Sequence, residues 1–309
     1  MRRRTLMILA AVTALAGLGG CGDRGGDAAP DAGAAPASAA AYPVTVGAVT
    51  LDKRPERIIS LSPTATEMLF AIGAGKQVVA VDDQSTFPPE APKSTLSGFK
   101  PNAEAIAAYS PDLVVVSNDI DKIVGALKAL KIPVYLGAAA NTLDDSYRQL
   151  ADLGALTGHG AEAAAVVRQL TGDITKLVKD LPPRTKKLTY YYELDPTLYT
   201  VTSKTFVGSL FAMAGLVNVA DAADRAGNGY PQLNPEALVK ANPDMIFLAD
   251  TRCCQQSAAT VRARAGWAGI TAVRTGQVVT LDDDIASRWG PRVVELVRSI
   301  VDAVAKAPA

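Results

Sequence analysis

Histidine is almost absent from this chain: His159 is the only one in 309 residues. A site for a bare zinc or manganese ion built from several imidazoles is therefore not expected. Cysteine is scarce as well, with three residues, too few for the disulfide scaffold of a small secreted domain. Neither sign of charge is in excess. Lys+Arg and Asp+Glu both number 31, and nothing in that balance points to nucleic acid. No G-x-G-x-x-G follows a strand-like run, no G-x-S-x-G elbow occurs, and Gly75-Lys76-Gln77 lacks the hydroxyl and the upstream glycine of a P-loop. These absences argue against an enzyme of the nucleotide-binding or serine-hydrolase kind.

What is present begins with a targeting segment. Arg2, Arg3 and Arg4 make a positive start, and Leu6 to Leu18 is an apolar stretch too short for a comfortable membrane span. Leu18-Gly19-Gly20-Cys21 then places small residues just before a cysteine, a run that resembles the bacterial lipobox. Residues 1–20 are expected to be a signal peptide, and Cys21 the lipidated first residue of the mature chain. Two or three acyl chains anchor a protein stably to a membrane, whereas one does not. Without the first twenty residues the chain carries 28 basic and 31 acidic side chains. Gly22 to Ala41 has no large apolar residue and cannot bury a core. Residues 21–41 are expected to form the lipidated cysteine and a disordered tether, with a reach of ~25 Å.

Beyond the tether, short apolar runs alternate with helical patterns. Ile58-Ile59-Ser60-Leu61, Val78-Val79-Ala80-Val81, Leu113-Val114-Val115-Val116 and Val134-Tyr135-Leu136 read as strands. Thr64 to Ala74, with Thr64 as its cap, Ala103 to Tyr109 and Val124 to Leu130 read as helices between them. Unbroken apolar strands between helices predict a mostly parallel sheet covered on both faces. Leu143 to Leu181 differs, with helical periodicity, an interruption at Gly158-His159-Gly160, and a stop at Pro182-Pro183. The alternation then resumes with strands at Leu188 to Tyr192, Tyr199 to Thr202, Met245 to Leu248 and Val278 to Leu281. Helices are expected at Phe206 to Ala214, Ala237 to Ala241, Ala258 to Ile270 and Val293 to Val304. The expected organisation is an N-terminal α/β lobe over 42–157, a connecting helix over 158–184 and a C-terminal α/β lobe over 185–309.

The two halves echo each other. Pro101-Asn102-Ala103-Glu104-Ala105-Ile106 leads to Pro111-Asp112-Leu113-Val114, and Leu233-Asn234-Pro235-Glu236-Ala237-Leu238 leads to Pro243-Asp244-Met245-Ile246. Leu69-Phe70-Ala71-Ile72 upstream matches Leu210-Phe211-Ala212-Met213. Two matches in the same order indicate lobes built to a shared plan. Asn102 and Asn234 suit helix N-caps, and a glutamate in the first turn complements the helix dipole.

Arg57-Ile58-Ile59-Ser60-Leu61-Ser62-Pro63, Thr66-Glu67, Gly73, Phe87-Pro88-Pro89, Asn102-Ala103-Glu104 and Pro111-Asp112-Leu113 together resemble the class III periplasmic binding proteins. Those proteins serve importers of vitamin B12, haem and ferric siderophores. The resemblance spans roughly Tyr42 to Ala305. It implies two Rossmann-like lobes joined by one long helix, with a bulky chelate held between them. It also implies a surface glutamate on each lobe that docks onto arginines of an ABC permease dimer, at Glu104 and Glu236 here. No catalytic residue, resident cofactor or metal is expected, and the protein is expected to act as a monomer on the outer face of the cell membrane. The competing readings are a two-lobed α/β enzyme of glycosyltransferase type and a lipoprotein that senses its ligand on the same fold.

Clefts in α/β lobes form at the carboxyl ends of strands, where Phe99 and Tyr230 are expected. The resemblance implies that both rings flank a flat ligand, that Asp284 and Arg288 supply polar contacts, and that Gln84 stands where B12 binders place an aromatic. Haem ligation would call on Tyr230 or one of Tyr190, Tyr191 and Tyr192. Cys253 and Cys254 follow the strand Met245 to Leu248 and are candidates for a vicinal disulfide at the cleft, or for two thiols.

Overall fold

The computed structural model describes residues 41–308, so the expected signal peptide, Cys21 and nearly all of the tether lie outside the described residues. The described chain opens on an antiparallel hairpin of β1 (Val44–Val46) and β2 (Val49–Leu51). A parallel sheet follows, made of β3 (Ile58–Leu61), β4 (Val78–Val81), β5 (Leu113–Val116) and β6 (Val134–Leu136), in the order β4-β3-β5-β6. Every residue of β3 and β5 is buried, which is why both read as unbroken apolar runs. Helices α1 (Pro63–Ala71), α2 (Ala103–Ala107) and α3 (Ile123–Ala129) make the crossovers.

Two longer helices come next. Helix α4 (Leu143–Thr157) starts at a capping box of Thr142 and Asp145 and stops at Gly158, whose φ of 77° is left-handed. Helix α5 (Gly160–Lys179) has 20 residues, about 30 Å of rod. Ala163 and Leu170 of α5 sit in the core of the first lobe, and Ile174 sits in the core of the second. One helix therefore packs into both lobes along its length.

The second lobe contains β7 (Thr189–Glu193), β8 (Val217–Asn218), β9 (Met245–Leu248) and β10 (Val278–Thr280), all parallel, in the order β10-β9-β7-β8. Its helices are α6 (Phe206–Met213), α7 (Pro235–Ala241), α8 (Ala258–Arg262), α9 (Thr271–Arg274), α10 (Asp283–Ala286) and α11 (Val293–Lys306). With strands counted in chain order within each lobe, both sheets run 2-1-3-4. The repeat seen in sequence is a repeat of topology.

Three local expectations are corrected. Ser62, not Thr64, caps α1: its side chain accepts from Ala65 N, and Pro63 takes the first helical position. The helix expected over Ala258 to Ile270 breaks after Arg262, because Gly266 turns left-handed at φ 79° before a 3₁₀ turn at Trp267–Gly269. Tyr199 to Thr202 forms no strand and makes a single bridge, Tyr199 to Gln232.

Candidate functional site

Both sheets end their strands toward one region, and the loops there hold the polar groups. In the first lobe a buried hydroxyl chain runs from Ser60 through Thr66 and Ser85 to Asp82. Thr66 Oγ1 donates to Ser60 Oγ at 2.9 Å, Thr66 and Ser85 hydroxyls lie 2.9 Å apart, and Ser85 Oγ donates to Asp82 Oδ1 at 2.5 Å. Burial pushes the Asp82 carboxyl up to about 6, against the Ser85 hydrogen bond. Gly98 crosses this network so closely that a Cβ would stand 2.6 Å from Leu61 O and 3.0 Å from Asp82 Oδ2. That close passage throws the next side chain outward, and Phe99 is 66% exposed.

The second lobe repeats the device. Gly229 has φ +85° and a Cβ there would lie 2.7 Å from Thr205 Cγ2, while the following Tyr230 is 51% exposed. A tightly packed glycine before a bare aromatic ring thus occurs once per lobe, just ahead of each Asn-x-Glu motif. Gly98-Phe99 and Gly229-Tyr230 are the same two-residue step in the sequence, which the placement of the rings before each Asn-x-Glu did not use. Phe87, part of the Phe87-Pro88-Pro89 motif but not expected as a contact, is a further exposed ring, and the Arg292 guanidinium lies 4.5 Å above it.

Arg288 sits elsewhere than expected of a free ligand contact. It is buried, and its Nη1 meets Glu67 Oε1 of the first lobe at 2.7 Å. Its Nη2 meets Asp284 Oδ1 at 2.9 Å and donates to Gln84 O at 3.1 Å and Thr86 Oγ1 at 3.2 Å. Asp284 is occupied too, accepting from Thr86 at 2.8 Å and from Arg252 at 3.0 Å. Gln84 contributes its backbone carbonyl, and its side chain is exposed. Arg288 therefore ties lobe to lobe. Burial raises the Glu67 carboxyl, and Arg288 and Arg292 pull it the other way. Trp289, next in sequence, donates from Nε1 to Gln149 at 2.9 Å.

Beneath the cleft side of the second sheet lies a buried acid pair. Glu193 ends β7 and is gripped by Arg264 through two contacts of 2.6 Å. Asp250 follows β9, is fully buried, and neither of its carboxylate oxygens has a partner. Burial and then the Glu193 charge push Asp250 up to about 7. The loop above carries Cys253 and Cys254, which the structure holds as two thiols and not as a disulfide, Cys253 exposed and Cys254 half-buried. The Cys254 thiol, burial, and the charges of Asp283 and Asp250 push Cys253 up to about 12.

Tyr190, Tyr191 and Tyr192 are withdrawn as haem ligands, because all three are at most 1% exposed. Tyr190 stacks on Phe211, Tyr191 packs on Trp267, and the Tyr192 hydroxyl donates to Ala286 O at 3.0 Å. His159 stands before α5 beside Arg54, away from these loops. Glu104 and Glu236 are exposed in the first turns of α2 and α7. Asn102 Oδ1 caps α2 by accepting from Ala105 N at 2.8 Å, and Asn234 Oδ1 caps α7 by accepting from Glu236 N at 2.8 Å.

Comparison with known proteins adds relatives to this geometry. A profile of the periplasmic binding protein family matches residues 58–285. The ABC transporter substrate-binding lipoprotein YvrC of Bacillus subtilis is 30% identical over 281 residues, covering 85% of this chain and 86% of its own. A cobalamin-binding protein of Halobacterium salinarum is 31% identical over 278 residues, covering 86% of this chain and 75% of its own. The crystal structure of the periplasmic vitamin B12-binding protein of Vibrio cholerae superposes with a TM-score of 0.66 at 26% identity, over 82% of this chain and 98% of that one.

Proposed function

The chain belongs to the periplasmic binding protein family, and from that premise we propose that it is the substrate-binding lipoprotein of an ABC importer whose cleft takes a corrinoid. Its lobes, 42–157 and 185–309, hold the ligand between them across the segment 158–184, and the protein hands it to a permease dimer driven by an ATPase. Glu104 and Glu236 are the docking carboxylates, one per lobe. Cys21 carries the lipid that keeps the protein on the outer face of the membrane. Capture and release, with no bond made or broken in the cargo's framework, are the whole of its work in this reading.

The observation that carries the ligand assignment is the pair of bare rings, Phe99 and Tyr230, one from each lobe at the strand ends. Two such rings favour a broad, flat, largely apolar cargo. The arginines of the cleft floor, Arg252 and Arg288, are already paired with carboxylates. A neutral ring edged with amides leaves those pairs intact, whereas a ring bearing free carboxylates would have to compete for them. The cobalamin-binding relative supports the same choice.

Titration calorimetry of the full chain with cyanocobalamin, haemin and a ferric hydroxamate tests the proposal. Cyanocobalamin is expected to bind tightest, and Phe99→Ala and Tyr230→Ala each to weaken it by ~1–3 kcal/mol, about 5- to 150-fold. Tighter binding of haemin or the hydroxamate overturns the ligand class. Wild-type affinity in both alanine variants overturns the site.

A further inference from the structure

The underside of the second lobe, away from the cleft, carries a strap, residues 181–188, that runs from the end of α5 to the start of β7. Arg184 fastens it to the last turn of α11, donating to Val304 O and Ala307 O at 2.6 Å and to Pro308 O at 2.8 Å. A cavity of about 610 Å³ lies between the strap, α9 and the end of α11, walled by Pro182, Pro183, Leu188 and Ala307. A groove of about 210 Å³ lies between the strap and the turn after α6, with Leu181, Leu188 and Leu216 in its walls. Met213 and Val217, which flank that turn, are exposed, and so are Pro182 and Pro183.

Cations crowd the same surface. Lys179 ends α5, and Lys186 and Lys187 belong to the strap. Arg274 shares α9 with the cavity-lining Thr271, and Lys306 stands between the lining residues Ala305 and Ala307. All five are exposed, and among the described residues only Lys186 of the five is in an ion pair, with Asp244 at 2.9 Å. The acids nearby are Asp244, Asp180, which is paired with Lys176, and Asp302. Bare apolar side chains beside a surplus of exposed cations suit an anionic membrane surface.

The place where the chain enters the fold agrees. The Tyr42 hydroxyl donates to Leu156 O at 3.0 Å, at the end of α4, and Arg54 holds Thr157 O at 2.9 Å. The chain thus enters at one end of α5 and the strap leaves from the other, about 30 Å away. The expected tether reaches ~25 Å on average and further when extended, so a lipid on Cys21 leaves the strap free to touch the same membrane. Leu188, Leu216 and Asp244 come just before β7, β8 and β9. The strap therefore lies at the amino ends of the strands, on the side opposite Tyr230 and Glu236.

We propose that this face is a resting site on anionic phospholipid, with the strap and the end of α11 against the headgroups and the cleft open away from the membrane. The proposal rests on the reading of Cys21 as a lipid anchor. Exposed charge holds the contact, so salt releases it. Delivery then requires the carrier to lift and turn, since Glu104 and Glu236 are on the far side.

The experiment places the lipidated full chain on vesicles of phosphatidylcholine alone and of phosphatidylcholine with phosphatidylglycerol, and labels its lysines with an amine-reactive reagent. Lys179, Lys187 and Lys306 are expected to react about 5-fold more slowly on the anionic vesicles, a difference that high salt removes. Lys100, beside Phe99, should react alike on both. In the double variant Lys187→Glu, Arg274→Glu, checked for folding by circular dichroism, Lys179 and Lys306 should lose the slowing while the protein stays on both vesicles through its lipid. Equal rates on both vesicles, for a protein shown by mass to carry its lipid, overturn the resting site and leave the anchor standing. Slowing at Lys100 in place of Lys306 overturns it in favour of the cleft-side face. Slowing that follows protein concentration on both vesicles alike overturns it in favour of contact between copies. A chain without lipid that washes off both vesicles overturns the anchor and the resting site together.

Discussion

Glu67 and Arg288 form a buried ion pair whose partners come from different lobes, 221 residues apart. Removing one member of such a pair strands the other charge, at a cost of ~3–5 kcal/mol. Arg288→Met should therefore lower the melting temperature clearly, whereas a residue that only touches ligand would leave it unmoved. Thermal unfolding of the ligand-free protein reads the difference, and an unchanged midpoint rejects the bridging role. Asp250 gives a pH signature. Its carboxyl sits at about 7 against an ordinary 3.8, so the folded state keeps a proton that the unfolded chain releases. The stability it contributes is complete below about pH 4 and is lost as the pH rises through 7. Glu193, Arg264, Tyr191 and Cys253 are the charged or titratable groups acting with it. Asp250→Asn, which never ionises, should melt higher than wild type at pH 8, by about 2–4 °C for each kcal/mol recovered, with the gap closing at pH 5. A gap that is the same at both pH values contradicts the assignment. At this scale the sequence showed Phe99 and Tyr230 through their place before each Asn-x-Glu. It showed the i, i+4 spacing of Asp284 and Arg288, but a partner in the other lobe leaves no trace in local spacing. The Glu193–Asp250 pair was hidden for the same reason: its members end two different strands that only the sheet brings together.

Helices α2 and α7 are short, and each is started by an asparagine whose side chain caps the first turn. The cap, not the glutamate, begins the helix, so Glu104→Gln and Glu236→Gln remove at most ~1 kcal/mol of dipole interaction. Both variants should fold and bind cargo as wild type. Uptake by cells should fall in each single variant and further in the double. Normal import by the double variant, or a loss of cargo affinity in it, contradicts a docking role. Strands β3, β5 and β9 were legible because burial on both faces makes each an unbroken apolar run. The two-residue strand β8 was not, since so short a run carries no period to read. Helix α1 was legible but its cap lies two residues earlier than expected, because Ser62 and Thr64 are both fit to cap and Pro63 decides between them.

The whole molecule is two copies of one strand order on a common strut, α5, which packs into both cores. That plan was readable in outline from the echoed motifs, and the family membership follows along most of the chain. The proposed attachment to the membrane rests on Cys21. Metabolic labelling with a fatty acid should mark the wild-type protein and not Cys21→Ser, whose precursor should stay uncleaved; an unlabelled wild type refutes the anchor. The shared plan also bears on how the carrier meets its receiver. In the docking proposed for Glu104 and Glu236, the matching handles on α2 and α7 would let a half-turn of the carrier present an equivalent pair of contacts to a twofold receiver. There is then no wrong way round to land. The orientational search is halved, a statistical gain of about 0.4 kcal/mol over a carrier with a single handle of each kind. A cargo without such symmetry would then arrive at the gate in two opposite poses, and the pathway beyond would have to accept both.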